Sequence, residues 1–168
     1  GFRSGQGPVD FVVRDPDVVV SVLICFEDIF PHLARRHARE GVEVLVNLTN
    51  NGWFGESSAQ WQHAAGAVFR AVENGLPLVR ATNNGLTCWV DPWGRMRRWL
   101  GEGEGSAYAE GFLTVEVPRV GPGIGGRGGA KQEDAGTPPF VVPGFIRAFP
   151  RTRAILGRRR PHECGHYK

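Results

Sequence analysis

A chain of 168 residues and 18.4 kDa has the size of one ordinary domain and is long enough to bury a hydrophobic core. Apolar residues make up 41% and charged residues 22%, which excludes a collagen-like or wholly disordered chain. The net charge of +3 comes from residues 147–168, which hold six Arg, one Lys and one Glu, so the rest of the chain is net negative. Charge therefore gives no support to nucleic-acid binding by the globular part.

Glycine and proline are unevenly distributed along the chain. Residues 118–150 contain 8 Gly and 6 Pro in 33 positions, out of 24 Gly and 12 Pro in all. The composition predicts a globular unit at residues 1–117 and an irregular region rich in Gly, Pro and Arg at residues 118–168. We expect this second region not to fold stably, and its composition is typical of a GC-rich gene translated out of frame. The alternative is a basic arm at residues 147–160 that contacts anionic lipid headgroups.

Three cysteines are too few and too scattered for a disulfide framework. Cys25, Cys88 and Cys164 form no Cys-x-x-Cys pair. No apolar run approaches the roughly 18 residues that a membrane-spanning helix needs. The chain begins with Gly1 rather than Met, which we interpret as the start of a fragment.

The first elements alternate between strand and helix. Residues 18–25 form a β-branched, nearly continuous apolar run, the pattern of a strand covered on both faces. Pro31 opens a helical segment over residues 32–40 that Gly41 ends. Residues 43–48 are a second buried strand, so the sequence predicts a strand–helix–strand unit.

A second helix and a hairpin complete the predicted α/β fold. After the Asn- and Gly-rich loop 49–55, Ser57 or Ser58 caps a helix that ends at residues 74 and 75. Its apolar residues trace one helical face that we expect to be buried: Trp61, Ala64, Ala65, Val68, Phe69 and Val72. The remaining predicted elements are a strand at 76–82, a hairpin of 86–90 and 95–100 around residues 91–94, and a strand at 111–117.

Cys25 is the candidate nucleophile because it lies where an apolar strand meets polar residues, and reactive groups in α/β sheets gather at the carboxyl ends of strands. The alternative is a core thiol, since free cysteine is among the most buried residue types. Cys88 lies within a hairpin strand and is expected in the core. Cys164 lies between His162 and His166, which we interpret as chance clustering, so no metal site is predicted.

Four blocks carry a resemblance to the nitrilase (carbon–nitrogen hydrolase) superfamily. The first is Ile-Cys-Phe-Glu-Asp-Ile-Phe-Pro at residues 24–31, and the second is Asn-Leu-Thr-Asn-Asn-Gly-Trp-Phe-Gly at 47–55. The others are the helix 62–73, with Gln-His at its start and Arg-Ala-Val-Glu at its end, and Leu-Val-Arg-Ala-Thr-Asn-Asn-Gly at 78–85. The Asp-Pro-Trp-Gly turn at 91–94 is similar to a family turn. Within the superfamily, the blocks most resemble the bacterial apolipoprotein N-acyltransferase family.

This resemblance implies a nitrilase-like αββα sandwich and a Glu–Lys–Cys triad that works through a thioester. Cys25 matches the nucleophile of that triad. The backbone N–H of Phe26 is the expected oxyanion donor. Glu27 matches an acidic position beside the nucleophile, either as a proton-transfer group or as a carboxylate that braces the loop.

Other matched residues have two open interpretations. Trp53 and Phe54 are candidates for lining an acyl-chain groove, or they pack in the core. His63 is interpreted as structural, because the family's base is a Glu. Three charged residues of the matched blocks are expected to form bracing ion pairs: Arg70, Glu73 and Arg80.

The resemblance also shows what the 168 residues lack. The residues before Cys25 include no Glu and no Lys, and both lysines, Lys131 and Lys168, lie far downstream. We therefore expect the triad to be incomplete in this chain, which would be inactive alone and of marginal stability.

The leading interpretation is a C-terminal piece of an acyltransferase. Its implied partners are a phospholipid acyl donor and a lipoprotein acceptor, with no cofactor, no metal and no nucleic acid. The parent would act at the periplasmic side of the bacterial inner membrane, anchored by segments outside these residues. The alternatives are a soluble amidase of the same superfamily and a non-catalytic binding module with a basic tail.

Overall fold

The computed structural model describes residues 1, 3, 5–14, 17–39, 41–104, 106–119 and 140–144. Its strands are β1 (Asp10–Val13), β2 (Val18–Ile24), β3 (Val44–Thr49), β4 (Leu78–Thr82), β5 (Cys88–Val90), β6 (Met96–Trp99), β7 (Leu113–Val117) and β8 (Phe140–Gly144). Its helices are α1 (Pro31–His37) and α2 (Ala59–Asn74), with 3₁₀ helices at Cys25–Ile29, Gly52–Phe54 and Glu102–Glu104. Among these residues, no helix is both long and apolar enough to cross a bilayer.

Six strands form one mixed sheet in the order β1-β2-β3-β4-β5-β6. The three central strands, β2, β3 and β4, run parallel and are connected through α1 and α2, while β1, β5 and β6 pair antiparallel. Ile24 pairs with Leu48, and Thr49 pairs with Thr82, so the carboxyl ends of the three parallel strands lie side by side. The segments that follow these strands therefore meet at one edge of the sheet.

The two faces of the sheet bury separate cores. On the face covered by the helices, Leu23, Leu45 and Leu78 pack against Ala67 and Ala71 of α2. On the opposite face the buried residues come from both sheets: Val18, Val20, Val44, Trp89, Val115 and Val117. Successive strand residues alternate between the two faces, so strands with apolar residues on both sides read as continuous apolar runs.

The predicted α/β order is confirmed, with small changes in element bounds. The strand expected at residues 18–25 ends at Ile24, because Cys25 turns into a 3₁₀ helix. The predicted helix at 32–40 is shorter, and Pro31 is its first residue. The hairpin forms as β5 and β6 around the Asp91 turn, where the N–H of Gly94 donates to the carbonyl of Asp91 at 2.9 Å.

The predicted buried face of α2 is wrong for four of its six residues, whereas Ala64 is buried and Val68 packs against the core. Large apolar side chains of the expected stripe face solvent, with Trp61, Phe69 and Val72 exposed by 45%, 60% and 50%. The buried face is rotated by about one residue and combines polar with small side chains: Gln60, His63, Ala64, Ala67, Arg70 and Ala71. Polar inward residues reach partners at the sheet edge, and alanines let the helix approach the sheet closely. Gly75 ends the helix in the left-handed conformation, as the sequence predicts.

Strand β8 lies inside the segment that the composition predicts to be irregular. Phe140–Gly144 pairs antiparallel with β7 to form a two-stranded sheet. Its Phe-Val-Val run has high strand propensity, which outweighs the Gly- and Pro-rich surroundings over these five residues. The proposed basic arm at 147–160 and the Cys164 cluster lie outside the described residues.

Candidate active site

Cys25 lies at the carboxyl end of β2 and is the first residue of a 3₁₀ helix. Its φ is +50°, and within the described ranges it is the one non-glycine residue in the left-handed region. For a residue with a Cβ, this backbone conformation is unfavourable by about 1–3 kcal/mol, and strained residues of this kind cluster at functional sites. The backbone therefore turns sharply at the residue that the sequence identifies as the nucleophile.

The sulfur of Cys25 has two polar neighbours. Its Sγ lies 3.3 Å from Oγ1 of Thr49 and 4.0 Å from the backbone oxygen of Asn50, and the residue is half-buried. Cys88, by contrast, is 2% exposed, and burial raises the pKa of its thiol to about 12. The prediction that Cys88 is a core thiol is confirmed, so the two described cysteines have different environments.

Phe26 contributes both backbone and ring to this site. Its N–H lies in the first turn of the 3₁₀ helix, where backbone donors have no partner within the helix. The ring stacks on the imidazole of His63, with centroids 4.7 Å apart and planes 16° apart. The oxyanion role expected of the N–H is compatible with this position.

Glu27 braces the turn through its side chain. Its Oε2 accepts a hydrogen bond from the N–H of Ile24 at 2.7 Å, which closes the loop back onto the end of β2. This contact is the one that a bracing carboxylate would make.

Trp53 and Phe54 surround Phe26 to form an aromatic cluster with His63. The Phe26 centroid lies 5.6 Å from that of Trp53 and 5.9 Å from that of Phe54, both in edge-on geometry. Trp53 is 70% exposed, so it is not a core residue, whereas Phe54 is half-buried. The structure thus brings all five sequence-predicted site residues to one edge of the sheet.

A buried polar network lies beneath the aromatic cluster. Oδ1 of Asp28 is 2.8 Å from Nε2 of His63, and Oδ2 of Asp28 pairs with Nη1 of Arg80. The same Arg80 nitrogen donates to Oδ1 of Asn47 at 2.8 Å, and Nδ2 of Asn47 donates to the carbonyl of Cys25 at 3.0 Å. A carboxylate and a guanidinium that are both fully buried therefore hold the backbone of the nucleophile in place.

The expected ion pairs form, and one of them fixes α2 to the site. Arg70 pairs with Glu73 at 2.8 Å, and its Nη1 donates to the carbonyl of Asp28 at 3.2 Å. His63 has both ring nitrogens bound, to Asp28 and to Asn51, which agrees with its structural interpretation.

Asp28 and Asn51 are site residues that the sequence argument missed. Two signals were available. Arg80 interrupts an otherwise apolar strand and needs a buried carboxylate, and Asp28 lies within the nucleophile block at residues 24–31. Asn51 looked like an ordinary turn residue, because its burial depends on contacts with distant parts of the chain.

The loops after β3 and β4 are tied together by amide groups. The N–H of Asn51 donates to Oδ1 of Asn83 at 3.0 Å, and Nδ2 of Asn83 donates to Oδ1 of Asn50 at 2.8 Å. Gly85 has φ +96°, and a Cβ there would lie 2.1 Å from Oε1 of Gln60. The Asn–Gly turns are therefore packed around the site and tolerate no larger residue at position 85.

A cleft of about 550 Å³ lies beside the end of β2. Its wall includes Glu27 together with apolar side chains of Phe11, Val22, Ile24 and Leu48. Ile24 and Leu48 are 55% and 45% exposed. The described residues contain no group of three His, Cys, Asp or Glu side chains placed to hold a metal ion.

Known proteins are similar to this chain in sequence. An apolipoprotein N-acyltransferase of Geobacter metallireducens is 48% identical over 104 residues, which cover 62% of this chain and 19% of that protein. One from Rickettsia prowazekii is 38% identical over 116 residues, which cover 69% and 23%. The resemblance to this group is confirmed, and the chain spans about a fifth of the length of these curated relatives.

A solved amidase from Nesterenkonia sp. is 25% identical and matches with a TM-score of 0.47 over 59% of this chain and 39% of that one. The carbon–nitrogen hydrolase family itself matches residues 2–120. That range includes all six strands of the main sheet, the Cys25 turn and the buried network below it. The chain belongs to the carbon–nitrogen hydrolase family.

Proposed function

We propose that this chain carries the nucleophile of an N-acyltransferase that moves a fatty acyl group from a phospholipid, through a thioester on Cys25, to the N-terminal amine of a diacylglyceryl-cysteine lipoprotein. The observation that carries the proposal is the thiol itself, half-buried on a strained turn at the carboxyl end of β2. The relatives are named apolipoprotein N-acyltransferases, which supports N-acyl transfer to an apolipoprotein, and the phospholipid donor is what the family resemblance implies.

The chemistry consists of two acyl transfers. In the first, Sγ of Cys25 attacks the ester carbonyl of the phospholipid, the C–O bond breaks, and the lysophospholipid leaves with a proton. In the second, the amine attacks the thioester, an amide forms, and the thiol is restored. The N–H of Phe26 is the donor expected to stabilise the oxyanion in both steps.

The surroundings of Cys25 suit a lipid donor. The cleft beside β2 presents exposed apolar side chains, Ile24 and Leu48, next to the nucleophile segment. Trp53, which is 70% exposed, adds an apolar surface close to Phe26. Removing such surface from water is favourable for an acyl chain, so we assign Trp53 and Phe54 to its binding together with the cleft.

The acid–base partners of the thiol are not among the residues before Cys25, which contain neither Glu nor Lys. We expect the 168-residue chain alone to form no acyl-enzyme, with the carboxylate base and the lysine supplied by other parts of a longer protein. That parent would act at the periplasmic face of the bacterial inner membrane, where phospholipid donor and lipoprotein acceptor meet.

The test uses membranes that contain the polypeptide translated from the complete reading frame around these residues. After incubation with phosphatidylethanolamine vesicles, mass spectrometry should find an acyl adduct on the Cys25 peptide that neutral hydroxylamine releases. Adding a diacylglyceryl-cysteine peptide should move the acyl group to its amine, where hydroxylamine no longer removes it. The Cys25→Ser variant should show neither product.

Two results would contradict the proposal. Ammonia released from small amides without any lipid-derived adduct would favour the amidase alternative. An adduct formed equally well in the Cys25→Ser protein would place the nucleophile elsewhere.

A further inference from the structure

A continuous chain of polar groups connects the sulfur of Cys25 to a buried carboxylate. Oγ1 of Thr49 lies 3.3 Å from the sulfur and 3.2 Å from Oδ1 of Asn51. The same Asn51 oxygen lies 2.9 Å from Nδ1 of His63, whose Nε2 lies 2.8 Å from Oδ1 of Asp28. Apart from Cys25, every member is at most 8% exposed. Water therefore competes little for these hydrogen bonds.

The direction of the hydrogen bonds follows from the carboxylate end. Asp28 is paired with Arg80, and an ionised carboxylate only accepts, so Nε2 of His63 carries the proton that it donates to Asp28. If the ring is neutral and its proton is on Nε2, then Nδ1 is an acceptor. The amide of Asn51 must then present an N–H to His63.

The amide of Asn51 satisfies this requirement when it is turned by 180°. As placed, its Nδ2 is buried without a hydrogen-bond partner among the described residues, which is costly for a donor group. Amide oxygen and nitrogen are distinguished by their partners rather than by their shape. Turning the amide directs its two N–H groups at Nδ1 of His63 and Oγ1 of Thr49, and it leaves a carbonyl unpaired instead.

Among the residues that the structure describes, the hydroxyl of Thr49 then has one remaining partner for its own hydrogen, the sulfur of Cys25. It accepts from Asn51 and lies 3.3 Å from the sulfur, a distance within hydrogen-bond range for sulfur. We propose that Thr49 is a catalytic residue that donates its hydroxyl hydrogen to the sulfur of Cys25, and that Asn51, His63 and Asp28 are positioning residues that fix this direction. The proposal rests on the proposed function only for the role of Cys25 as nucleophile.

The consequence is a hydrogen bond that becomes stronger when the sulfur is ionised. A hydrogen bond to a charged acceptor is stronger than one to a neutral acceptor, so the Thr49 hydroxyl stabilises the thiolate form selectively. The thiolate is the form that attacks an acyl carbon. Thr49 would thus aid the reaction without itself accepting the proton.

The experiment measures the pH dependence of Cys25 alkylation by iodoacetamide in the full 168-residue chain. Trypsin separates the three cysteines, because arginines lie between Cys25, Cys88 and Cys164, and mass spectrometry then follows the Cys25 peptide alone. Thr49→Val keeps the shape and removes the hydroxyl, and it should raise the pH of half-maximal alkylation by about one unit. Thr49→Ser keeps the hydroxyl and should retain the wild-type profile.

A second pair of variants tests the positioning residues. In His63→Gln, the amide reaches toward Asp28 but loses the contact with Asn51, so the profile should shift in the same direction as in Thr49→Val and by less. His32→Gln makes the same chemical change at an exposed histidine of α1 and should leave the profile unchanged.

The proposal is overturned if Thr49→Val reacts with the wild-type pH profile while Cys88 stays protected. Alkylation of Cys88 in the same digest reports unfolding. If the Thr49→Val variant unfolds, the pH profiles of Cys25 alkylation in Thr49→Ala and Thr49→Ser are compared instead, with the same two outcomes. Iodoacetamide needs neither lipid nor the absent base. A Thr49 effect without acyl transfer in the complete protein would therefore refute the proposed function alone, and acyl transfer without a Thr49 effect would refute this inference alone.

Discussion

The two faces of α2 contrast polar residues turned inward with apolar residues turned outward. His63 and Arg70 are 4% exposed and contact the nucleophile segment, whereas Phe69 and Trp61 are 60% and 45% exposed. Helices of soluble domains normally bury their apolar side. The orientation of this helix on the sheet therefore depends on contacts with Asp28 and Asn51 as well as on its buried alanines.

The inward face of α2 is therefore part of the site. Its alanines, Ala64, Ala67 and Ala71, bring the helix close enough for Gln60, His63 and Arg70 to reach the loops at the sheet edge. The outward face contributes one ring contact within the described residues, between Trp61 and Trp99 at 5.4 Å. Changes on the two faces should therefore have very different costs.

The largest effect is expected at Arg80, which pairs with the carboxylate that α2 also contacts. Arg80→Met leaves the charge of Asp28 buried without its guanidinium and should lower the free energy of unfolding by about 3–5 kcal/mol in urea titrations. Arg98→Met is the matched control, because Arg98 forms an exposed pair with Glu102 at 3.5 Å and should cost less than about 1 kcal/mol. Equal losses in the two variants would contradict a buried network.

His63→Leu tests the inward face of α2 directly. The substitution removes both imidazole hydrogen bonds and leaves the carboxylate of Asp28 and the amide of Asn51 without this partner, so a loss of about 2–3 kcal/mol is expected by urea unfolding. Gln62→Leu, one position along at an exposed residue, serves as the control and should change stability by less than about 0.5 kcal/mol. A stable His63→Leu protein would mean that apolar burial suffices on this face.

Some features of the fold and of the site can be predicted from the sequence alone, and others cannot. The order of strands and helices follows from apolar runs and turn residues, and Cys25 follows from its place after β2 and from the motif around it. The orientation of α2 does not follow, because a sequence shows an apolar stripe but not the partners that bury His63 and Arg70. The strained backbone of Cys25 and the burial of Asn51 also depend on long-range packing, which no local pattern encodes.

The polar contact between α1 and β2 allows a smaller test by pH. Nδ1 of His37 lies 2.9 Å from Oγ of Ser21, and burial lowers the pKa of His37 below its ordinary value of 6.5. The unfolded chain therefore binds a proton more readily, and stability should fall as the pH drops below 6.5. The free energy of unfolding is measured with urea at pH 7.5 and at pH 5.5. His37→Gln should make the difference between the two values smaller, by less than about 1 kcal/mol. An unchanged slope would mean that other groups cause it.

The smallest effect is expected on the outward face of α2. Phe69→Gln replaces a 60% exposed ring and should change the free energy of unfolding by about 0.5 kcal/mol or less. Thermal unfolding beside wild type is sufficient to measure it. A loss as large as that of His63→Leu would show that the outward face is covered by another part of the protein.

The central claim is that Cys25 presents an accessible thiol at the sheet edge, and differential labelling tests it most directly. The native chain is treated with a maleimide at pH 7, and the tryptic peptides of Cys25 and Cys88 are quantified before and after denaturation. The account predicts rapid labelling of Cys25 in the native state and labelling of Cys88 only after unfolding. A Cys25 that stays unlabelled until the chain unfolds would contradict the account and leave a core thiol in its place.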